Sequence, residues 1–289
     1  MTHPLGQPLP GTRPPGTTDE AAAARFVRQL FSDVAGRYDL LNHLLSLNVD
    51  RYWRWAVARE FSHWLSMPSA RVLDLCCGTA DLSLAFVRRV RNPGQGIQAI
   101  RGQARPSNAA DGNALIISSD FSHPMLTRAQ QKLEARSPKQ EARRAVPRRR
   151  LLPLLAEADA LQLPFRNGCF DLVASAFGFR NLVNYHGGLA EIRRVLRPGG
   201  EIGILEFSEP SGKWIGPIYS YYFHTVLPAI AEWLTGVRGA YRYLASSVDR
   251  FPGRNEFLEW MRLAGFEELR SRKLSGGIAI LYVGRKPQA

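Results

Sequence analysis

The segment from Val72 to Asp81, VLDLCCGTAD, places the strongest constraint on how this 289-residue chain can fold. Its apolar start indicates a buried strand, Gly78 indicates a tight turn, and a helical pattern begins near Asp81. A strand, a short turn and a helix bring backbone amides and a helix N-terminus to a ligand. Ala80 and Ser83 stand where the dinucleotide fingerprint Gly-x-Gly-x-x-Gly needs glycines. The turn therefore suits a ligand without phosphates, such as one with an amino-acid ammonium and carboxylate.

Short apolar runs alternate with helical stretches along the rest of the chain, a pattern typical of a parallel sheet with crossover helices. The first five runs cover residues 71–76, 115–119, 153–156, 170–176 and 201–207. Two more runs, 266–273 and 278–285, are separated by a Ser-Gly-Gly break typical of a hairpin. We therefore predict an α/β fold with a seven-stranded, mostly parallel sheet, helices on both faces and an antiparallel last strand.

Composition divides the chain into a leader, one domain and two insertions. Residues 1–18, rich in Pro, Gly and Thr, predict a disordered leader, and residues 19–289 predict a single domain that opens with helices over 19–66. Polar stretches with Gly and Pro at about 92–113 and 136–150 interrupt the alternation and are interpreted as surface insertions. No apolar stretch reaches the roughly 18 residues of a membrane-spanning helix.

The formal net charge of +13 is concentrated in the part of the chain that contains the insertions. Residues 88–150 hold 14 Lys and Arg against 4 Asp and Glu. No aromatic side chain interleaves with the arginines of 143–150, as stacking on bases would require. The charge is therefore interpreted first as a solvated surface, next as an attraction to an anionic membrane, and last as an RNA contact.

Three predicted strands end in acidic residues, and the carboxyl ends of parallel strands meet at one edge of a sheet. Asp74 lies at the end of the first strand, Asp120 at the end of the second, and Asp159, followed by Ala160, after the third. A carboxylate in the second position suits two ribose hydroxyls, and Asp159 with a backbone amide suits an adenine ring. Taken singly, Asp120 is better explained as a helix N-cap, but the series of three favours a nucleoside-binding site.

Several segments resemble the ubiquinone/menaquinone biosynthesis C-methyltransferase family, whose members have a class I, Rossmann-like methyltransferase fold. The resemblance covers about residues 26–286. The matching segments are 31–42, the turn after the first strand, 120–126, 158–165, 177–181, 194–208, 241–247, 251–252 and 264–266. The segments most specific to the quinone enzymes are Phe-Gly-Phe-Arg-Asn at 177–181 and Tyr-Arg-Tyr-Leu at 241–244.

The resemblance implies that S-adenosyl-L-methionine is the cofactor. With the turn and the acidic strand ends, the expected cofactor-binding residues are Asp74, Gly78, Thr79, Asp120, Asp159 and Ala160. This chain has Ala80 where the family has glycine, which narrows the conformational freedom of the turn. It also has Ala176 where serine is common, so a hydrogen bond to the cofactor is either missing or moved to Ser175.

The reaction that the resemblance implies is C-methylation of a prenylated quinol ring. The expected acceptor is demethylmenaquinol, a naphthoquinol, and the alternative is a benzoquinol of ubiquinone biosynthesis. Arg180 and Asn181, after the fourth strand, are assigned by resemblance to substrate activation, because a cation near a ring hydroxyl favours loss of its proton. A surface salt bridge is the other interpretation of Arg180. Tyr38, Tyr241 and Tyr243 are interpreted either as the lining of a ring pocket or as core aromatics.

The prenylated substrate leads to expectations about where the protein is located and what it contacts. A cytoplasmic protein is expected, with peripheral association at the inner face of the cytoplasmic membrane and a homodimer as open questions. The aromatic run 215–230, interrupted by prolines, is a candidate lid over the isoprenoid tail. A dimer contact or a core segment is the alternative for this run.

A nucleic-acid methyltransferase is the main alternative, because the chain is basic. Amino-methylating enzymes carry an Asn/Asp-Pro-Pro-Tyr/Phe loop after the fourth strand, whereas this chain has AFGFR at 176–180. Pyrimidine-C5 enzymes need a cysteine nucleophile, but Cys169 precedes that strand. Cys76, Cys77 and Cys169 form no Cys-x-x-Cys pair, so we expect packing roles, no metal site and no nucleic-acid partner. A non-enzymatic scaffold and an enzyme for another phenol or a sterol are weaker alternatives.

Overall fold

A computed structural model describes most of the chain outside the basic insertions. The described residues are 11–14, 16–36, 46, 48–91, 114–135, 152–208, 243 and 247–288. Both predicted insertions, the run 215–230, Tyr38 and Tyr241 lie outside these residues. The interpretations given to those segments therefore stay predictions.

Seven strands form one sheet, in which six pairs of neighbouring strands are hydrogen-bonded. The strands are β1 Arg71–Leu75, β2 Leu115–Asp120, β3 Leu154–Glu157, β4 Phe170–Ala176, β5 Leu196–Phe207, β6 Glu267–Leu274 and β7 Ala279–Arg285. Their order across the sheet is β3-β2-β1-β4-β5-β7-β6. Strands β1 to β5 pair in parallel, and β7 runs antiparallel to both β5 and β6. The predicted fold class is confirmed, including the antiparallel last strand.

Strand β5 begins at Leu196, earlier than the predicted residue 201. Phe170 pairs with Leu196, and the register then shifts so that Leu172 pairs with Glu201. The Pro-Gly-Gly sequence between these pairs reads as a turn, yet it forms an irregular stretch of the strand, with Gly199 at a φ of 75°. The predicted start was too late because residues typical of a turn lie here inside a bulge of the strand.

Helices cover both faces of this sheet, as predicted. They are α1 Glu20–Val34, α2 Asp50–Glu60, α3 Ser62–Leu65, α4 Asp81–Arg91, α5 His123–Ala135, α6 Tyr185–Val195 and α7 Arg254–Leu263. Neighbouring strand residues point to opposite faces: Val72 joins a core with Trp53 of α2, and Leu73 joins a core with Phe257 of α7. Among the helices described, none combines the length and apolar character needed to cross a bilayer.

Part of the predicted leader lies against the fold. Thr12 is fully buried; its N–H donates to the Leu182 carbonyl at 2.8 Å, and its hydroxyl bonds with that of Tyr243 at 3.0 Å. The Arg13 Nη1 donates to the Val183 carbonyl at 2.6 Å. The structure thus differs from the predicted disorder at these two residues. Because the contacts are with backbone carbonyls of Leu182 and Val183 and with the side chain of Tyr243, all distant in the chain, composition carries no sign of them.

The packing of β5 against the end of α2 leads to a first prediction. A Cβ atom at Gly203 would overlap with the ring of Phe61. We expect Gly203→Ala to lower the free energy of unfolding by about 1–3 kcal/mol, the usual cost of overpacking a core. Gly253→Ala is the control, because an added Cβ there meets nothing within 4 Å, and we expect a loss below about 1 kcal/mol. Equal losses in chemical denaturation would contradict the packing argument.

Candidate active site

The strand order reverses between β1 and β4, and the carboxyl ends of these strands flank a crevice. A cavity of about 360 Å³ lies there, within the range of pockets that hold small ligands and cofactors. The loops that follow four parallel strands line it on one side, and helix α1 closes another side. The strand ends contribute Leu75, Cys76, Gly78, Asp120, Ala158, Asp159, Ala160, Phe177, Gly178 and Asn181.

The fold brings most of the predicted site residues to this one cavity. Those that line it are Gly78, Asp120, Asp159, Ala160 and Asn181. Those that lie outside its lining are Asp74, Thr79 and Arg180. The first group converges because parallel strands present their carboxyl ends at the same edge of the sheet. Each member of the second group has a partner elsewhere in the protein.

The carboxylate of Asp120 joins the turns that follow β1 and β2. Its Oδ2 accepts the Gly78 N–H at 2.8 Å, and its Oδ1 accepts the Ser122 N–H at 3.0 Å. Burial raises the pKa of Asp120 to about 6, although these amide bonds oppose the rise. The bond from Ser122 closes an Asx-turn ahead of α5, so Asp120 is not the N-cap of that helix, and its side chain also faces the cavity.

Asp159 lies at the exposed rim of the cavity, and Ala160 is buried beside it. The Asp159 Oδ1 accepts the Leu161 N–H at 2.9 Å, which folds the loop back on itself. The Ala158 N–H donates to the Asp120 carbonyl at 3.0 Å, so the loop after β3 is tied to the end of β2. The two acidic positions are thereby held on neighbouring strand ends.

Asp74 is buried beneath the cavity and bonds within the fold. Its Oδ2 accepts the N–H of Ser83 at 2.9 Å and the hydroxyl of Ser83 at 2.7 Å, near the start of α4. Burial raises the pKa of Asp74 to about 7, against the opposing effect of the Ser83 bonds. The structure thus gives Asp74 a capping role, and its contact with a cofactor stays a prediction.

The side chain of Thr79 faces a group of charged residues. Its Oγ1 accepts a hydrogen bond from Lys132 Nζ of α5 at 3.1 Å, and Lys132 pairs with Asp81 of α4 at 2.6 Å. Arg54 of α2 lies 3.9 Å from Asp81 and also bonds with Asp50. These ion pairs link three helices around the turn after β1. A contact between Thr79 and a cofactor stays a prediction.

Arg180 forms a salt bridge, but with a fully buried partner instead of a surface one. Its Nη1 donates to the Glu206 Oε2 at 2.8 Å and to the Phe177 carbonyl at 2.6 Å. Its guanidinium lies 5.2 Å from the ring centre of Phe207, and Nε donates to the Ser247 hydroxyl at 3.2 Å. Sequence reasoning missed Glu206 as the partner. The available signal was a charged residue inside the apolar strand β5.

Asn181 lines the cavity directly after Arg180. Its Oδ1 accepts a hydrogen bond from the Tyr243 hydroxyl at 3.3 Å, and that hydroxyl also bonds with Thr12. Tyr243 is buried, and burial raises its pKa, so its hydroxyl stays protonated and able to donate. The amide of Asn181 is therefore oriented by residues from both ends of the chain.

Helix α1 supplies a wall of the cavity that sequence reasoning missed. Its contribution is Ala21, Ala24, Arg25, Val27, Arg28 and Phe31. The Arg28 guanidinium lies 5.4 Å from the ring centre of Phe121, which lines the cavity after β2. The spacing of Ala24, Arg28 and Phe31 places them on one face of the helix, but no motif indicates what that face covers.

Three residues in the turns beside the cavity have a strained backbone. Cys76, Ala80 and Phe177 have φ angles of 54°, 64° and 62°, a left-handed conformation that is rare for residues with a side chain. Such conformations cluster at functional sites, where the surrounding structure enforces them. Ala80 is the position at which a glycine was expected. A Cβ atom at Gly178 would lie 2.5 Å from the Cβ of Cys76, so these two loops require a glycine at their closest approach.

The polar groups near the cavity fit a cofactor with amino-acid and ribose groups. Among the buried side-chain oxygens of the described residues that have no hydrogen-bond partner, three belong to strands of the sheet: Asp74 Oδ1, Ser119 Oγ and Ser175 Oγ. They belong to the carboxyl-terminal halves of β1, β2 and β4. Buried polar atoms normally bond with water or ligand when no protein group is available. They lie at the same edge of the sheet as Asp120 and Asp159, which line the cavity and suit such a cofactor.

The raised pKa of Asp74 makes the stability of the fold depend on pH. Burial raises this pKa from the usual 3.8 to about 7, so the protonated side chain stabilises the fold at low pH. That contribution is lost as pH rises through about 7. We expect Asp74→Asn, which cannot ionise, to flatten the pH dependence of the unfolding free energy in this window. Ser83→Ala removes a bond that lowers the pKa and should extend the window to higher pH. Identical pH profiles for the wild type and Asp74→Asn in denaturation would contradict this assignment.

The comparisons with known proteins agree with the fold and the cavity. The chain matches the ubiE/COQ5 methyltransferase family over residues 18–286. It is 40% identical over 258 residues to the demethylmenaquinone methyltransferase of Thermus thermophilus, which covers 89% of this chain and 100% of that protein. It is 39% identical over 260 residues to the ubiquinone/menaquinone biosynthesis C-methyltransferase UbiE of Geobacter sulfurreducens, covering 90% and 88% of the two chains.

A solved structure supports the fold independently. A SAM-dependent methyltransferase from Thermotoga maritima superposes with a TM-score of 0.55 at 15% identity, covering 90% of this chain and 99% of that one. At this identity the likeness concerns the fold alone. The family match and the two relatives cover nearly the whole chain. The chain therefore belongs to the ubiE/COQ5 methyltransferase family.

Proposed function

We propose that this protein transfers a methyl group from S-adenosyl-L-methionine to a ring carbon of a prenylated quinol, with demethylmenaquinol as the first candidate acceptor. The observation that carries the proposal is the cavity that joins Gly78, Asp120, Asp159 and Asn181 at the carboxyl ends of parallel strands. The family supplies the type of chemistry, and both relatives are named as methyltransferases for menaquinone or ubiquinone compounds.

The acidic strand ends suit the nucleoside half of the cofactor. The Asp120 carboxylate can accept hydrogen bonds from two ribose hydroxyls, and Asp159 with the backbone at Ala160 suits the adenine amino group and ring nitrogen. Gly78, with a φ of 54°, keeps side-chain bulk away from the amino-acid half at the turn. When bound, the cofactor supplies an electrophilic methyl group on a sulfonium.

The residues after β4 suit the activation of a quinol. A ring carbon becomes nucleophilic when a ring hydroxyl is at least partly ionised. Asn181, held by Tyr243, can hydrogen-bond with a ring oxygen in the cavity. The positive charge of the neighbouring Arg180 favours the ionised hydroxyl. Because Glu206 pairs with Arg180 at 2.8 Å, the two residues act as one unit and not as an isolated cation.

The choice between acceptors rests on the relatives. The Thermus relative is named for demethylmenaquinone, and the Geobacter relative is named for both ubiquinone and menaquinone biosynthesis. We therefore rank the naphthoquinol first and the benzoquinol second. The prenyl tail of either acceptor favours peripheral association with the cytoplasmic membrane. A homodimer has no support from these observations and stays a prediction.

The nucleic-acid alternative is less consistent with the geometry. Cys169 precedes the amino end of β4, so the length of this strand, about 20 Å, separates it from the cavity at the carboxyl end. A nucleophile at that distance cannot reach a base bound beside the turn after β1. The loop after β4 has Phe177, Gly178 and Phe179 in place of the two prolines of amino-methylating enzymes.

The central experiment measures methyl transfer to demethylmenaquinol, to the benzoquinol precursor and to RNA, together with calorimetric titration of S-adenosyl-L-methionine. We expect cofactor binding and transfer to a quinol, with the naphthoquinol preferred. Transfer to RNA alone would overturn the proposal, and the absence of cofactor binding would exclude the enzyme.

A second prediction for the site concerns the ionisation of Asp120. Because only the carboxylate can accept from both ribose hydroxyls, we expect cofactor affinity to fall as pH drops below about 6, the pKa of Asp120. Asp120→Asn should weaken binding about 10- to 100-fold, the range for hydrogen bonds to a charged group, and should remove this pH dependence. Glu157→Gln is the control, since Glu157 ends the neighbouring strand outside the cavity lining, and its effect should stay below about twofold. An unchanged affinity in Asp120→Asn would contradict the assignment.

A test of Arg180 must separate the effect of losing its positive charge from the effect of losing folding stability. Arg180→Ala alone leaves Glu206 buried without its partner, a change that costs about 3–5 kcal/mol of stability. The double variant Arg180→Met with Glu206→Gln removes both charges together. We expect its kcat to fall about 100-fold with cofactor affinity unchanged, and its pH–rate profile to move to higher pH, because the acceptor must ionise without a nearby cation.

The control for this variant is Glu206→Gln alone, which retains the cation and a side-chain oxygen that can accept from it. Because it also removes one charge of the buried pair, thermal denaturation must first show that it folds. It should keep most of the activity and should not move the pH–rate profile upward. If the double variant matched the wild type in kcat and in pH profile, Arg180 would have a purely structural role.

A further inference from the structure

The outer face of helix α2 carries exposed aromatic and basic side chains. Tyr52 and Trp55 are 49% and 40% exposed, and Arg51 and Arg59 are exposed beside them. At about 100° per residue, these four positions fall within an arc of about 100° on the helix and extend about 12 Å along it. We call this set of four residues the aromatic–basic face. All other residues from 53 to 58 are buried, so the face is the outward side of an otherwise packed helix.

The side chains of this face contact one another and form an ordered surface. The rings of Tyr52 and Trp55 stack with centres 5.9 Å apart and planes 25° apart, and the Arg59 guanidinium lies 5.4 Å from the ring centre of Trp55. Within the described residues, neither Arg51 nor Arg59 forms an ion pair with an acidic side chain. As far as the described residues show, two arginines present positive charge without an acidic partner next to two exposed aromatic rings.

The opposite side of the same helix forms part of the wall behind the cavity. The Trp53 ring lies 5.7 Å from that of Phe177, and the Arg54 guanidinium lies 5.7 Å from the same ring. Phe177 lines the cavity with a strained φ of 62°. Trp53 also donates to the Ser275 hydroxyl at 2.8 Å, which fixes this end of α2 at the carboxyl edge of the sheet. Helix α2 therefore contacts the cavity wall on one side and carries the aromatic–basic face on the other.

We propose that the aromatic–basic face is a docking surface for an anionic phospholipid bilayer. Tyr and Trp rings are favoured at the depth of lipid headgroups, where one end of the ring is apolar and the other is polar. Arginines at the same level bind phosphate groups and add electrostatic attraction to an anionic leaflet. This inference rests on the proposed function, because docking there would hold the cavity close to the bilayer in which a prenylated acceptor is dissolved.

Two other occupants fit the same face less well. A second copy of the chain would bring Arg51 and Arg59 close to their own equivalents in a two-fold interface, without acidic residues on the face to compensate them. An RNA base would need an open aromatic plane, whereas the Trp55 ring already contacts both Tyr52 and Arg59. An anionic leaflet offers phosphate groups to the arginines and a headgroup region that accommodates the aromatic rings.

The test measures co-sedimentation of the full chain with two kinds of vesicle, phosphatidylcholine alone and phosphatidylcholine mixed with phosphatidylglycerol. One double variant, Tyr52→Ala with Trp55→Ala, removes the rings. A second, Arg51→Glu with Arg59→Glu, reverses the charges. Two controls reproduce these changes elsewhere: Leu263→Ala removes an apolar side chain that is 64% exposed, and Arg166→Glu with Arg254→Glu gives the same change in net charge at exposed positions.

We expect the wild type to bind the anionic vesicles more tightly than the neutral ones, and to lose this preference at high salt. Each double variant of the face should reduce the partition coefficient at least about tenfold, whereas the controls should stay within about twofold. Methylation of a naphthoquinol without a prenyl tail should be unchanged in the face variants, which shows that they fold. Methylation of a prenylated naphthoquinol in vesicles should fall with binding.

Several results would overturn the docking surface. Equal vesicle binding by the face variants and the controls would place the membrane contact elsewhere. A wild-type dimer that becomes a monomer in the aromatic double variant would identify the face as a subunit interface. Loss of RNA binding with unchanged vesicle binding would identify it as a nucleic-acid contact. If the wild type methylated no quinol at all, the proposed function would fail instead, whatever the vesicles showed.

Discussion

The cavity depends on two buried carboxylates that hold the turns above the sheet. Asp74 bonds with Ser83 at the start of α4, and Asp120 bonds with the amides of Gly78 and Ser122. Burying an acidic side chain is unfavourable unless hydrogen bonds compensate for the lost water, and both carboxyl groups have raised pKa values, about 7 and about 6. The bond of Asp120 with Gly78 ties the turn after β1 to the end of β2, and the bonds of Asp74 hold the start of α4, so both contribute to the shape of the site that a cofactor would enter.

Three residues at the same edge of the sheet have a strained backbone. Cys76 and Ala80 flank the turn after β1 in left-handed conformations, and Phe177 has one just after β4. Each such residue costs about 1–3 kcal/mol, which the rest of the fold must offset. The large cores on the two faces of the sheet supply that stability, since they bury Trp53, Phe257 and apolar residues of the central strands. Phe177 also belongs to the core that contains Trp53, so one strained residue joins the cavity wall to that core.

Two contacts connect the chemistry to the periphery of the molecule. On one side, Asn181 is linked through Tyr243 to Thr12, so the N-terminal residues reach the cavity wall. On the other side, Phe177 packs against Trp53 of α2, whose outer surface carries Tyr52 and Trp55. In the proposed function, the first contact orients the group that meets the ring of the acceptor, and the second joins the cavity to the surface that meets the membrane.

The sequence by itself determined the elements and the edge at which they act. Apolar runs of strand length predicted the seven strands, and the pattern of a parallel sheet predicted that Asp120 and Asp159 lie at one edge, because carboxyl ends share that edge. These are properties of local periodicity, which a single sequence carries. Only the tertiary structure decided which side chains face the cavity: Asp74 and Thr79 turn to Ser83 and Lys132, and α1 forms a wall. The pairing of Arg180 with Glu206 was likewise hidden, since contacts between residues distant in the chain depend on packing and leave no periodic trace.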